Sequence, residues 1–276
     1  MTFFDQVFRD VEQFVKVEDA EEEICELYSV YYSNSGSERQ SLVDSSKTEV
    51  EVEIKGGLRT IELTIGQNPN INSEKGQTGA VLWNSSIVLS EYLARRTLSG
   101  WNLAEANVVE LGSGCGLVGI AMHRLGARRV VLTDQARLMK LLSRNAERNR
   151  IARQAGNSGK RKAGRCPTVG TLLATEYDWG RAPEDPRILE AAPVDVVVVS
   201  DCVYHETVVP LLVRTLQTVC GSRRDVPVVA LVGQELRSDV VHQVFIEALL
   251  KSFVLYRVPV HPSVDRSYAL YAMWLR

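Results

Sequence analysis

Four residues near the middle of the chain have types and spacing suited to holding a nucleotide. Glu110, Gly112, Gly114 and Gly116 read E-x-G-x-G-x-G, and Asp134 closes the next β-branched run, in "NVVELGSGCGLVGIAMHRLGARRVVLTD" (107–134). Glycines let the chain turn sharply and let a ligand approach the backbone amides, because no Cβ intervenes. The helix start beyond them offers free N–H groups. A carboxylate at Asp134 can accept both hydroxyls of a ribose. Two nucleotides compete for such a loop. Gly114, Gly116 and Gly119 also satisfy G-x-G-x-x-G, the dinucleotide pattern of an oxidoreductase. Glu110 favours the other candidate: it would repel a pyrophosphate, whereas S-adenosylmethionine brings positive charge together with its adenosine. The plainer role for Glu110, a hydrogen bond to loop amides, is compatible with both.

The elements that must position these residues alternate from about residue 80 onward. "AVLWNSSIVLSEYLARR" reads as a helix, and "NVVELG", "RVVLTD", "PTVGTLLA", "VDVVVVSD" and "VPVVALVG" as strands separated by helical stretches. The run "VDVVVVSD" is apolar almost throughout, as expected of a strand buried on both faces. "FVLYRVPV" and "SYALYAMWL" finish the chain with no helix between them, so they must be antiparallel neighbours. The pattern predicts an α/β fold: a Rossmann-like, doubly wound, seven-stranded sheet, mostly parallel with an antiparallel C-terminal hairpin. That ending is unusual for a dinucleotide-binding domain, and it again favours S-adenosylmethionine. Upstream, Phe4, Val7, Phe8, Val11, Phe14 and Val15 recur at helical spacing and predict a helix from Phe3 to Val15. "EVEIKGGLRTIELTI" alternates on both sides of Gly56-Gly57 and predicts a hairpin. Residues 1–75 are thus expected to be an N-terminal extension packed on a domain formed by 76–276.

Composition narrows the function classes. The chain has 276 residues, with 32 basic and 34 acidic side chains and a formal charge of −2, so it carries no electrostatic footprint for nucleic acid. Its five cysteines show no CxxC spacing, which predicts neither a zinc site nor a disulfide framework. No apolar run reaches the ~20 residues of a membrane span, and Asp5, Arg9 and Asp10 interrupt the first apolar stretch, unlike a signal peptide. Cytoplasm or nucleus is the expected compartment.

Three further stretches carry a resemblance. "TGAVLWNSSIVLSEYL", with Thr78-Gly79 and Trp83, "VVELGSGCGLVGI", and "SDCVYHETVVPLL", with D-x-x-Y as Asp201, Cys202, Val203 and Tyr204, resemble the seven-strand S-adenosylmethionine-dependent methyltransferases. Within them the chain is similar to the protein-lysine group called family 16, over roughly residues 76–276. It looks most like the branch that acts on valosin-containing protein and Hsp70-type chaperones. "GQELRS" departs from the pattern associated with the former. The resemblance implies S-adenosylmethionine as cofactor, no metal, and a monomer acting on a non-histone protein such as an AAA+ ATPase, chaperone or elongation factor. It implies Trp83 beside the methionine end, Gly112, Gly114 and Gly116 along the methionine and ribose, and Asp134 on the ribose hydroxyls. It places Asp178 and Trp179 of "YDWG" at adenine and Ser200 at the methyl-transfer end. Asp201 is expected to hold the acceptor nitrogen and Tyr204 to wall its channel. His205 lies one residue past the motif, and Cys115 and Cys202 lack a paired base.

Other methyltransferases and a dinucleotide-dependent oxidoreductase remain the alternatives. An enzyme gripping a flipped base would show a proline-containing N/D-P-P motif after strand four, where this chain has D-C-V-Y. The basic stretch 153–165 reads as a solvated loop, or as a dock for an acidic face. The acidic "EDAEEEICE" reads as a solvated helix face.

Overall fold

The computed structural model describes residues 1–9, 11–33, 41–57, 60–70, 79–150, 170–261, 264 and 266–276. Thr78 and the basic stretch 153–165 lie outside these. Ten strands and eight α-helices are found among them. The strands are β1 (Val15–Val17), β2 (Glu49–Lys55), β3 (Thr60–Gly66), β4 (Asn107–Leu111), β5 (Arg129–Asp134), β6 (Thr171–Glu176), β7 (Val196–Ser200), β8 (Val229–Glu235), β9 (Phe253–Val258) and β10 (Tyr268–Leu275). The helices are α1 (Phe3–Val7), α2 (Ala20–Ser33), α3 (Asn84–Leu98), α4 (Leu117–Arg124), α5 (Met139–Asn149), α6 (Pro186–Leu189), α7 (Val209–Cys220) and α8 (Asp239–Leu250).

The main sheet runs β1-β9-β10-β8-β7-β4-β5-β6. β4 pairs in parallel with both β5 and β7, which makes the gap after the carboxyl ends of β4 and β7 the point where strand order reverses. β10 inserts antiparallel between β8 and β9, as the missing helix required. The seven expected strands are all present. The eighth, β1, corrects the expectation of one helix from Phe3 to Val15. α1 ends at Val7, and Val15–Val17 pairs antiparallel with the edge of β9. Most of that apolar stripe is packed, with Phe4 and Phe8 meeting the Trp274 ring at 5.2 and 4.5 Å between centroids, whereas Val15 is exposed.

Every residue of β4 and β8 is buried, because helices cover both faces. α3, α4 and α5 enclose one core, and α2, α7 and α8 the other. The hairpin β2–β3 lies outside the first helical layer. Its buried side chains Val50, Val52, Ile54, Ile61, Leu63 and Ile65 alternate with exposed ones and join that core. Two α5 amides hold its edge. Asn145 Oδ1 accepts from the Gly66 amide at 2.8 Å, and its Nδ2 donates to the Gly66 and Cys115 carbonyls at 2.9 Å. Asn149 Nδ2 donates to Thr64 O one turn later.

Candidate active site

The glycine loop between β4 and α4 has the backbone its sequence demands. Gly112, Gly114 and Gly116 all have positive φ, and Gly116 is the left-handed N-cap of α4. A Cβ on Gly112 would lie 2.6 Å from the Trp179 ring and 2.7 Å from Cys202 Sγ, so only glycine lets these walls close. Gly119, the third glycine of the dinucleotide pattern, serves packing: a Cβ there would meet Leu132 at 2.2 Å.

A cavity of about 320 Å³ opens beside this loop, at the switch point of the sheet. Trp83, Glu110, Gly112, Gly114, Asp134, Asp178, Trp179, Ser200, Asp201 and Tyr204 line it. These come from five separate stretches of sequence, and the fold brings them together. Gly116 does not line it and acts through the helix cap. His205 stays outside it, where its Nδ1 accepts from the Thr207 amide at 3.2 Å.

Asp134 is 9% exposed. Its Oδ2 accepts from the Gly114 amide and its Oδ1 from the Gln135 amide, both at 2.7 Å. Burial raises its pKa, opposed by those two amides. Glu110 is 2% exposed, and its Oε2 accepts at 3.1 Å from the Gly119 amide, in the first turn of α4 rather than in the loop. Burial pushes its carboxyl up to about 8. The thiol of Cys115 is pushed up to about 12, also by burial, and that of Cys202 well above its ordinary value. Both are therefore poor nucleophiles. Ser200 Oγ lies 3.0 Å from Ser85 Oγ on α3. Trp83, at the start of α3, and Tyr204 are 37% and 44% exposed at the mouth.

The acceptor end departs from expectation at Asp201. This residue has a left-handed φ of 56°, and its side chain is committed to neighbours at the end of β8 and just beyond it. Arg237 donates from Nη1 to Oδ1 at 2.8 Å and from Nη2 to Oδ2 at 2.6 Å. Gln234 Nε2 and the Glu235 amide donate to Oδ1 at 3.2 and 3.3 Å. Gln234 also clasps Val203 through both its amide and its carbonyl. Arg237 reaches Glu235 Oε2 at 2.7 Å and lies over the Trp83 ring at 4.8 Å. Sequence reasoning gave Gln234, Glu235 and Arg237 no role. The available signal was the position of "GQELRS" at the carboxyl end of a central strand, where open α/β sheets place ligands.

The sequence profile of the lysine methyltransferase family matches residues 63–252. The chain is 32% identical to protein-lysine methyltransferase METTL21E of Bos taurus over 155 residues, 56% of this chain and 48% of that protein. It is 29% identical to protein-lysine N-methyltransferase EFM6 of Saccharomyces cerevisiae over 157 residues, 50% of this chain and 56% of that one. The chain thus spans about half the length of these curated relatives. Among solved structures, the T. thermophilus 16S rRNA methyltransferase RsmC in complex with AdoMet and guanosine shares the fold, with a TM-score of 0.50 at 16% identity over 83% of this chain and 51% of that one. With the profile covering more than half of its residues, the chain belongs to the lysine methyltransferase family.

Proposed function

We propose that the chain is an S-adenosylmethionine-dependent methyltransferase whose acceptor is a lysine of a non-histone protein. The observation that carries this is the single cavity in which the glycine cradle, Asp134 and the Asp178-Trp179 pair meet the Trp83, Asp201 and Tyr204 end. The cradle fits the cofactor, because Gly112 and Gly114 present bare backbone to the cavity and Trp179 supplies an aromatic part of its wall. Asp134 keeps lone pairs for ribose hydroxyls beyond the two amides it accepts from. Gly112 and Gly114 would follow the ribose and methionine, Asp178 would accept from the adenine amino group, and Ser200 and Trp83 would close the methionine end. When bound, the cofactor supplies an electrophilic methyl group on a sulfonium.

The chain's own task is to receive a neutral amine in line. For a lysine with a pKa of about 10.4, deprotonation costs roughly 4–5 kcal/mol at neutral pH. Alignment supplies part of the remaining barrier. Trp83 and Tyr204, exposed at the cavity's edge, offer aromatic surfaces along which the apolar stem of a lysine would lie. Residues 1–75 support this rim from behind. The Leu82 amide donates to Gln67 Oε1 at 2.8 Å, and the Leu42 amide to Asn84 Oδ1 at 3.0 Å, on either side of Trp83.

The test is incubation with radiolabelled S-adenosylmethionine and a cell lysate. Label in a protease-sensitive band, mapped to lysine by mass spectrometry, is the expected result. Label only in nucleic acid or small molecules would overturn the reading. Asp201→Asn should cut turnover at least tenfold with cofactor affinity nearly intact. Parallel loss of cofactor binding would instead make Asp201 a cofactor ligand or a folding residue.

A further inference from the structure

Behind the acceptor end of the cavity, which Asp201 lines, lies a charge arrangement that the lysine reading does not require. Asp201 and Glu235 present two carboxylates to one guanidinium, Arg237. On Asp201, Oδ1 receives three donors, from Arg237, Gln234 and the Glu235 amide, whereas Oδ2 receives the Arg237 Nη2. The guanidinium is fixed from a third side by the Trp83 ring at 4.8 Å. Arg237 thus joins the ends of β7 and β8 to the start of α3. The Asp201 side chain is 1% exposed and that of Arg237 is 32% exposed, so the carboxylate is buried under its guanidinium partner.

Two carboxylates without that guanidinium would bind a lysine as its ammonium and hold it protonated, because opposite charge within ~4–6 Å favours the charged form. An ammonium has no lone pair and cannot be methylated. We propose that Arg237 is a positioning residue for methyl transfer: by quenching the Asp201–Glu235 carboxylate pair and pinning it against Trp83, it keeps the acceptor end from trapping the lysine as an ammonium. This rests on the protein-lysine reading above. The ammonium proton passes to solvent, and the freed lone pair forms the N–C bond. The C–S bond of S-adenosylmethionine breaks in the same step, with its electron pair remaining on sulfur.

The cluster faces other titratable groups. Tyr204, Cys202, Glu110 and Asp134 line the cavity that Asp201 lines. Arg137, Arg181 and Asp178 also line it. Behind Arg237, Tyr28 of α2 bonds its backbone, and Asp239 of α8 lies near Tyr28. All of these stay in place in the variants below, so a difference between variants reports the substituted charge.

The experiment measures methyl transfer from radiolabelled S-adenosylmethionine into the protein fraction of a cell lysate, across neutral to alkaline pH, with the full chain. Arg237→Met should move the rise of the pH–rate profile up by about one unit, a loss of about tenfold at neutral pH that alkaline conditions recover. Arg237→Lys keeps the charge and loses the two-pronged grip. It should lower the rate at every pH with the profile unmoved. Glu235→Gln should move the rise in the opposite direction, to lower pH, and this sign test holds even if Arg237→Met fails to fold. Cofactor affinity, read by calorimetry, should stay within about twofold of the parent in each soluble variant. Profiles that coincide with that of the unmodified protein, whatever their height, would overturn the inference and leave Arg237 a purely structural residue. Absence of lysine label from the unmodified protein at every pH would instead overturn the function on which the inference rests.

Discussion

Asp134 sits where β5 ends, with both carboxylate oxygens held by amides and its outer face toward the cavity. Asp134→Ala should weaken S-adenosylmethionine binding by about 2–4 kcal/mol, through loss of charge-assisted hydrogen bonds. Unchanged affinity in calorimetry would remove Asp134 from the ribose. Glu110 makes a prediction about pH. Burial raises its folded-state pKa to about 8, above that of an unfolded glutamate. Between the unfolded value and about 8, the folded chain holds a proton that the unfolded chain has released. Stability should therefore fall as pH rises through that window and level off above it. Glu110→Gln, which keeps an oxygen for the Gly119 amide, should flatten that slope in thermal melts recorded from acid to mildly alkaline pH. An unchanged slope would place the proton elsewhere. Glu110, the glycines and Asp134 were legible because one βαβ unit places them at fixed offsets. Asp201 was found by its motif, yet its partner was not. Arg237 meets Asp201 and Trp83 only once three distant stretches are folded, and no local spacing records that meeting.

At the scale of elements, the hairpin shows what alternation can and cannot reveal. The period of two in β2 and β3 identified the strands and their buried faces. It gave no sign of what they lie against. That answer is in Asn145 and Asn149, one helical turn apart on α5, whose amides pair with the outer edge of β3 as a neighbouring strand would. Asn145 also reaches the carbonyl of Cys115, so the hairpin and the glycine loop share one side chain. Asn145→Ala would leave the Gly66 amide and two carbonyls without their partner. It should cost about 2–3 kcal/mol of unfolding free energy in denaturant titrations. A loss below about half a kcal/mol would show that water replaces the amide. The N-terminal stretch misled for a different reason. Helical spacing of Phe and Val marks side chains destined for burial, and a helix is one of several ways to bury them. Here a five-residue helix and a short strand share the task, with aromatic rings converging on Tyr256 and Trp274.

Across the whole molecule, the described residues ahead of position 71 are bound to the remainder on two faces. On one, the hairpin covers α3 and α5. On the other, Glu23 of α2 accepts from Tyr271 at 3.0 Å, and His242 of α8 lies between Tyr271 and Tyr28, with burial holding its imidazole down at about 4. Deletion of residues 1–75 should thus cost both solubility and methyl transfer. A truncated protein that stays soluble and methylates at the full rate would make the extension a dispensable appendage. The smallest piece of that extension has a consequence of its own. β9 would otherwise form the rim of the main sheet, with a row of unpaired amides and carbonyls along Leu255 to Arg257. Val15–Val17 occupies that row. An open row of this kind recruits strands from other chains. These three residues accordingly replace a six-residue margin by one too short to serve as a template for fibre growth.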